Sequence, residues 1–144
     1  MAEKLALAEG TFDGCFGCGP ANPVGLRLSF HREGNEVVAW AVLGRQYAGY
    51  KDFVHGGIVA TMLDEAMGWA LFHLGGVYGV TRSLAVNYRR PVLVGRRVAV
   101  RSSIVERDGN TLRVESRLVD ERGRLLASAE GLWATVRDER AKGG

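Results

Sequence analysis

Residues 53 to 72, FVHGGIVATMLDEAMGWALF, form the most apolar stretch of the chain, and with the helix expected over about 57–73 they constrain its fold more than anything else in it. The spacing predicts one long helix. Ile58, Val59, Ala60, Met62, Leu63, Ala66, Met67, Trp69, Ala70, Leu71 and Phe72 leave that helix no ordinary solvent face. Such a helix must be wrapped by the rest of the protein. It is not a membrane span, because Asp64, Glu65, Gly68 and His73 interrupt it well short of the ~18 apolar residues a crossing needs.

The rest of the chain supplies the wrapping, with a period of two rather than 3.6. Leu26, Leu28 and Phe30 alternate with Arg27, Ser29 and His31, and after the Gly34-Asn35 turn Val38, Trp40 and Val42 predict a second strand. Four more strands are expected at 79–90, 97–107, 111–119 and 124–137. Asp108-Gly109-Asn110 and Asp120-Glu121-Arg122-Gly123 are tight connections, so their flanking strands run antiparallel. The order is two strands, one helix, four strands. The simplest layering is an α+β architecture, a six-stranded antiparallel sheet curved around one central helix, which is the hotdog fold.

The chain of 144 residues has the length of about one domain. Residues 1–14 read as a lead-in with a short helical turn, 15–137 as the domain and 138–144 as a flexible tail. With 47% hydrophobic and 24% charged residues, the composition is that of a soluble globular protein. The opening MAEKLALAEG has neither the basic start nor the apolar core of a signal peptide, and a cytoplasmic protein is expected. A net charge of +3 is carried mostly by arginines spaced along strands, as in Leu112-Arg113-Val114-Glu115-Ser116-Arg117-Leu118. That pattern is a solvated sheet face, not the one-sided cluster of a nucleic-acid binder.

Cys15-Phe16-Gly17-Cys18 is a single CxxC. Structural zinc wants four ligands, and His31, His55 and His73 are scattered. The following Gly19, Pro20, Asn22, Pro23 and Gly25 are loop residues, where a redox CxxC would open a helix. The reading adopted is two small cysteines packing beneath a loop.

Thr61, Asp64, Glu65, Gly68 and Phe72 form the one stripe where polar groups break the apolar wall. A buried carboxylate costs several kcal/mol unless paired or hydrogen-bonded, so this stripe must meet polar groups or another protomer. For Glu65 the expectation is an ion pair with an arginine at a subunit contact. For Asp64 it is chemistry. At the start of the helix, His55-Gly56-Gly57 offers free backbone N–H groups at the positive end of the dipole; this can be a plain tight turn or a grip on a carbonyl oxygen that gains charge during acyl transfer. Gly57 and Asp64 lie about 10 Å apart along the axis, against the roughly 3 Å at which both would have to meet one carbon. If both act on one carbonyl, the carboxylate comes from a second copy across a two-fold axis.

CFGCGPANPVGLRLSF, YAGYKDFVHGGIVATMLDEAMGWA and TRSLAVNYRRPV, in that order, closely resemble the PaaI-type branch of the hotdog acyl-CoA thioesterases. HGG with an aspartate nine residues after the histidine is the most specific part. The resemblance, which runs from Cys15 to Trp133, implies hydrolysis of an acyl-CoA to free acid and coenzyme A, with neither metal nor redox cofactor, by a dimer or dimer of dimers. It makes Asp64 general base or nucleophile and Gly56 the carbonyl-polarising amide, with His55 and Gly57 shaping the turn. Thr81 matches a Ser/Thr position that holds the water or orients the carboxylate, and an ordinary strand threonine fits there as well. The polar Asn or His some relatives carry before HGG is replaced by Tyr47 to Asp52, so a second contact to the carbonyl is not expected from that stretch. Arg89 and Arg90, with Arg96 and Arg97, suit coenzyme A phosphates, and exposed strand-end arginines need no such role. Trp69, Phe72 and Tyr88 can line an acyl pocket or pack in the core. Two other functions share the fold: a hydratase or dehydratase acting on acyl thioesters, and a non-catalytic acyl-CoA binding module.

Overall fold

A computed structural model describes residues 12–136 and the main chain of Glu3–Lys4. The expected helical turn of the lead-in and the expected tail lie outside the described residues, apart from those two and residues 12–14. In chain order the elements are β1 (Glu3–Lys4), β2 (His31–Glu33), β3 (Glu36–Val42), a 3-10 turn (Arg45–Tyr47), α1 (Gly56–Gly75), β4 (Tyr78–Tyr88), β5 (Arg97–Asp108), β6 (Thr111–Asp120) and β7 (Leu125–Val136). All pair antiparallel in one sheet of order β1-β2-β3-β5-β6-β7-β4. Five strands fall close to where they were expected, the first is displaced to His31–Glu33, and β1 adds a short seventh at one edge. With α1 packed in its concave face, this is the hotdog fold.

The helix buries one side of itself. Val59, Met62, Leu63, Ala66, Met67, Ala70 and Leu71 are buried at spacings of three and four, in one core with Leu112, Leu118 and Trp133 of the sheet and Phe30 just before β2. Burying each large aliphatic side chain contributes about 1.5–3 kcal/mol, so this face anchors the fold. Two polar groups brought inside are satisfied: the Ser116 hydroxyl donates to Leu63 O at 2.9 Å, and the Trp133 indole N–H donates to Met67 Sδ at 3.4 Å; His31 Nδ1 and His73 Nε2 are buried with no partner among the described residues. Gly76, at φ 68°, ends the helix in the left-handed conformation that glycine adopts without strain. The opposite side of α1, with Thr61, Asp64, Glu65, Gly68, Trp69 and Phe72, is only partly covered. Burial on every side, expected from sequence, is thus not reached within one chain.

Residues 26–30 correct another expectation. They form no ladder strand, and β2 begins only at His31. Their backbone is used elsewhere: Leu26 N–H donates to Phe16 O at 2.7 Å and Leu28 N–H to Gly17 O at 2.9 Å. Alternation predicted the right burial, with Leu28 and Phe30 inside. The hydrogen-bond partner is a loop, however, and periodicity cannot see partners.

Candidate active site

The N-terminus of α1 is built by backbone pairing on both sides. Val54 N–H donates to Val92 O at 2.7 Å and His55 N–H to Tyr47 O at 2.8 Å, which locks the chain just before the helix. His55 is the N-cap, and its Nδ1 accepts the Gly57 N–H at 2.9 Å. Its carbonyl takes the N–H groups of Ile58 and Val59. Gly56 N–H therefore remains without an acceptor among the described residues, at the positive end of a 20-residue helix. Tyr88 OH donates to Gly56 O at 2.7 Å, fixing the orientation of that peptide. This job of Tyr88 was not legible from sequence, which offered only pocket or core roles.

A cleft of about 320 Å³ opens beside this turn, lined by Gly56, Tyr88, Arg89, Arg90, Phe53 and Pro91 among others. Arg89 and Arg90 are exposed, and their backbone N–H groups are held by Leu126 O at 2.8 and 3.0 Å. Arg90 also borders a wider groove of about 750 Å³ carrying Arg96, Arg97, Arg122 and Arg124. There the Arg97 guanidinium stacks 4.3 Å from the Trp40 ring centre.

Asp64 stands two turns further along, partly buried, where its Oδ1 accepts a 2.6 Å hydrogen bond from the Thr81 hydroxyl of β4. Burial pushes its carboxyl above the usual range, and the Thr81 bond opposes that shift by favouring the charged form. The structure thus gathers His55, Gly56, Gly57, Arg89 and Arg90 at the helix start, and Asp64 with Thr81 at its middle. It does not join the two groups within one chain, since eight residues of helix span about 12 Å.

Glu65 has no ion pair among the described residues. Its neighbours are the CxxC loop, with Cys15 Sγ 3.5 Å from Oε1 and 3.7 Å from Oε2. Burial raises Glu65 to about 7, while a hydrogen bond from Cys18 works against it. The bond between the two thiols separates them: Cys15 falls to about 5 and Cys18 rises, with burial lifting Cys18 further. Beside them lies a cavity of about 150 Å³ lined by Glu65, Gly68, Trp69, Phe72 and Tyr78. Trp69 and Phe72 thus border a cavity, while Tyr88 belongs to the cleft at the helix start.

Among the described residues no helix is long and apolar enough to cross a membrane. The chain is 28% identical over 113 residues, 76% of its own length, to the uncharacterized mitochondrial membrane protein FMP10 of Saccharomyces cerevisiae. It spans less than half the length of the curated relatives it matches. In three dimensions it resembles RHA08564, a thioesterase superfamily protein (TM-score 0.79, 24% identity, 85% of this chain and 60% of that one). It also resembles a hypothetical thioesterase of Streptococcus pneumoniae TIGR4 solved with coenzyme A (0.71, 19%, 76% and 85%). The PaaI protein of the E. coli phenylacetic acid degradation operon is a further neighbour (0.70, 17%, 78% and 81%). The thioesterase superfamily model matches residues 51–127, more than half of the chain, from the loop before His55 through α1 to the start of β7. On that match the chain belongs to the thioesterase superfamily, and it has the hotdog fold of these neighbours.

Proposed function

We propose that the protein hydrolyses an acyl-CoA to a free acid and coenzyme A at a site shared by two protomers. The observation that carries this reading is the division of the machinery along one helix. The Gly56 amide, without an acceptor among the described residues, borders a cleft, and a carboxylate held by Thr81 lies about 12 Å away, too far to serve the same carbonyl. Two antiparallel copies of α1 bring the Asp64 of one against the Gly56 of the other, forming two equivalent sites.

In that site Gly56 N–H stabilises the oxyanion that forms at the thioester carbonyl. Asp64 takes a proton from water as the water oxygen bonds to the carbonyl carbon; the C–S bond then breaks and the thiolate leaves as coenzyme A, taking up that proton. In the alternative role Asp64 itself attacks, giving an anhydride that water opens. Thr81 orients the carboxylate in both. His55 uses its Nδ1 as the helix cap, which ties it to shaping the turn with Gly57 rather than to acid-base work. Arg89 and Arg90 flank the cleft and suit the coenzyme A phosphates, a role supported by the coenzyme A bound to the pneumococcal protein of the same fold.

Pairing has two supports: the partly open side of α1, where Trp69 and Phe72 stand beside Asp64 and Glu65, and β4 itself. β4 is a sheet edge of 11 residues, with Val80 and Tyr88 more than half exposed. A homodimer, or a dimer of dimers, is the expected assembly. The cytoplasm is the proposed location, in keeping with two unpaired thiols at Cys15 and Cys18.

The test is hydrolysis of a panel of aliphatic and aromatic acyl-CoAs, followed by thiol release. Asp64→Asn should lower kcat/KM by about 10²- to 10⁴-fold without changing the melting temperature by more than a few degrees. Full activity in that variant would remove the mechanism. Binding of a non-hydrolysable analogue without turnover would make the protein a carrier or sensor instead.

A further inference from the structure

Cys15, Cys18 and Glu65 take no part in the proposed hydrolysis, yet the fold builds a compact cluster from them. Their two sulfurs and a carboxylate oxygen lie within 4.8 Å of one another. The loop around them is tightly held. Gly19 N–H donates to Cys15 O at 2.8 Å, Ala21 N–H to Asp13 O at 3.0 Å, and the 26–28 segment ties down the carbonyls of Phe16 and Gly17. A Cβ at Gly17 would come within 2.5 Å of the Glu65 carboxylate, and one at Gly19 within 2.3 Å of Asp13 O. The loop therefore lies directly on the carboxylate, and both glycines of CFGCG are needed for it to do so.

We infer that these three side chains bind one thiophilic divalent cation of the zinc class, through two thiolates and one carboxylate, with water in the fourth position. Zinc takes thiolates at about 2.3 Å and carboxylate oxygens at about 2.0–2.2 Å in a tetrahedron, which sets donors roughly 3.5 Å apart. The observed spacing reaches that with shifts of about 1 Å. Three acidic groups packed together without a cation among the described residues are costly when ionised, and a divalent ion offsets two of the three charges. Calcium and magnesium fit poorly, because they want six or more oxygens or an octahedral shell. The adjoining cavity of about 150 Å³ has ample room for the water, which takes about 30 Å³. Counting ligands along the sequence stopped at two cysteines, because the third donor is 50 positions away from Cys15 on α1. The ion would clamp the loop to the middle of the helix, one residue from Asp64.

The experiment is a titration of reduced, chelator-stripped protein with Co²⁺, followed by displacement with Zn²⁺. The expected result is one ion per chain, with thiolate-to-cobalt charge-transfer absorption and the visible bands of a tetrahedral ion. Cys15→Ser/Cys18→Ser should abolish the charge-transfer absorption, and Glu65→Gln should weaken zinc binding at least about tenfold while circular dichroism shows it folded. Failure of reduced wild type to bind one ion overturns the inference, and so does unchanged zinc affinity in Glu65→Gln, which would leave a plain dithiol. If the double serine variant does not fold, the wild-type spectrum and Glu65→Gln still decide it.

Discussion

Asp64 sits where ionisation is resisted by burial and aided by Thr81, so its charge state responds to small changes nearby. A base must be ionised to act, and its raised pKa means that kcat/KM should fall on the acid side with a midpoint above the ordinary value of 3.8. Thr81→Ala removes the contribution that favours the charged form. The acid limb should therefore move to higher pH and kcat should drop, whereas Thr81→Ser should restore both. A pH-rate profile on one substrate checks this, and an unmoved limb would separate Thr81 from Asp64. The resemblance put Thr81, 17 residues from Asp64, at a position that holds the water or orients the carboxylate, and left an ordinary strand threonine equally open. That the hydroxyl donates to that carboxylate followed only from the packing of β4 on α1.

At the scale of elements, α1 and β4 approach closely because glycine permits it. A Cβ on Gly79 would meet Leu71 Cδ2 at 2.5 Å and the backbone oxygen of Ala134 at 2.9 Å. The second contact is backbone and cannot swing aside. Gly79→Ala should cost about 1–3 kcal/mol of stability, read as a lower denaturant midpoint. Leu63→Ala, at a fully buried position on the core side of α1, should cost about 2–5 kcal/mol. The helix and five of the six strands were legible from periodicity, with bounds close to those observed: α1 over Gly56–Gly75 against an expected 57–73. The segment 26–30 was not, since extended backbone alternates in the same way whether its partner is a strand or a loop.

At the scale of the whole molecule, the proposed shared site has a consequence no single-chain site has. Gly56→Pro deletes the amide, and proline is tolerated at the first helical position, where a Cβ meets Tyr88 only at ordinary distances of 3.6–3.7 Å. Gly56→Pro and Asp64→Asn should each be nearly inactive. Mixed in equal amounts and allowed to exchange subunits, they should recover about a quarter of wild-type activity, because half of the dimers are mixed and each of those holds one intact site. No recovery, with exchange verified, would overturn the site shared between protomers. Val80→Lys on the exposed β4 edge should weaken pairing and lower activity together, measured by sedimentation and thiol release.

The sequence by itself determined the hotdog architecture, because an all-apolar helix beside alternating strands has one economical way to bury its surface. It also marked Asp64 and the His55-Gly56-Gly57 turn, because a carboxylate in an apolar helix and glycines at a helix start stand out locally. Only the tertiary structure decided what each group touches within the chain: Thr81 on Asp64, Tyr88 on Gly56, and the cysteine loop on Glu65. Those contacts join residues 17, 32 and 50 positions apart, and such pairings are fixed by the way layers pack, which no local pattern in a single chain encodes.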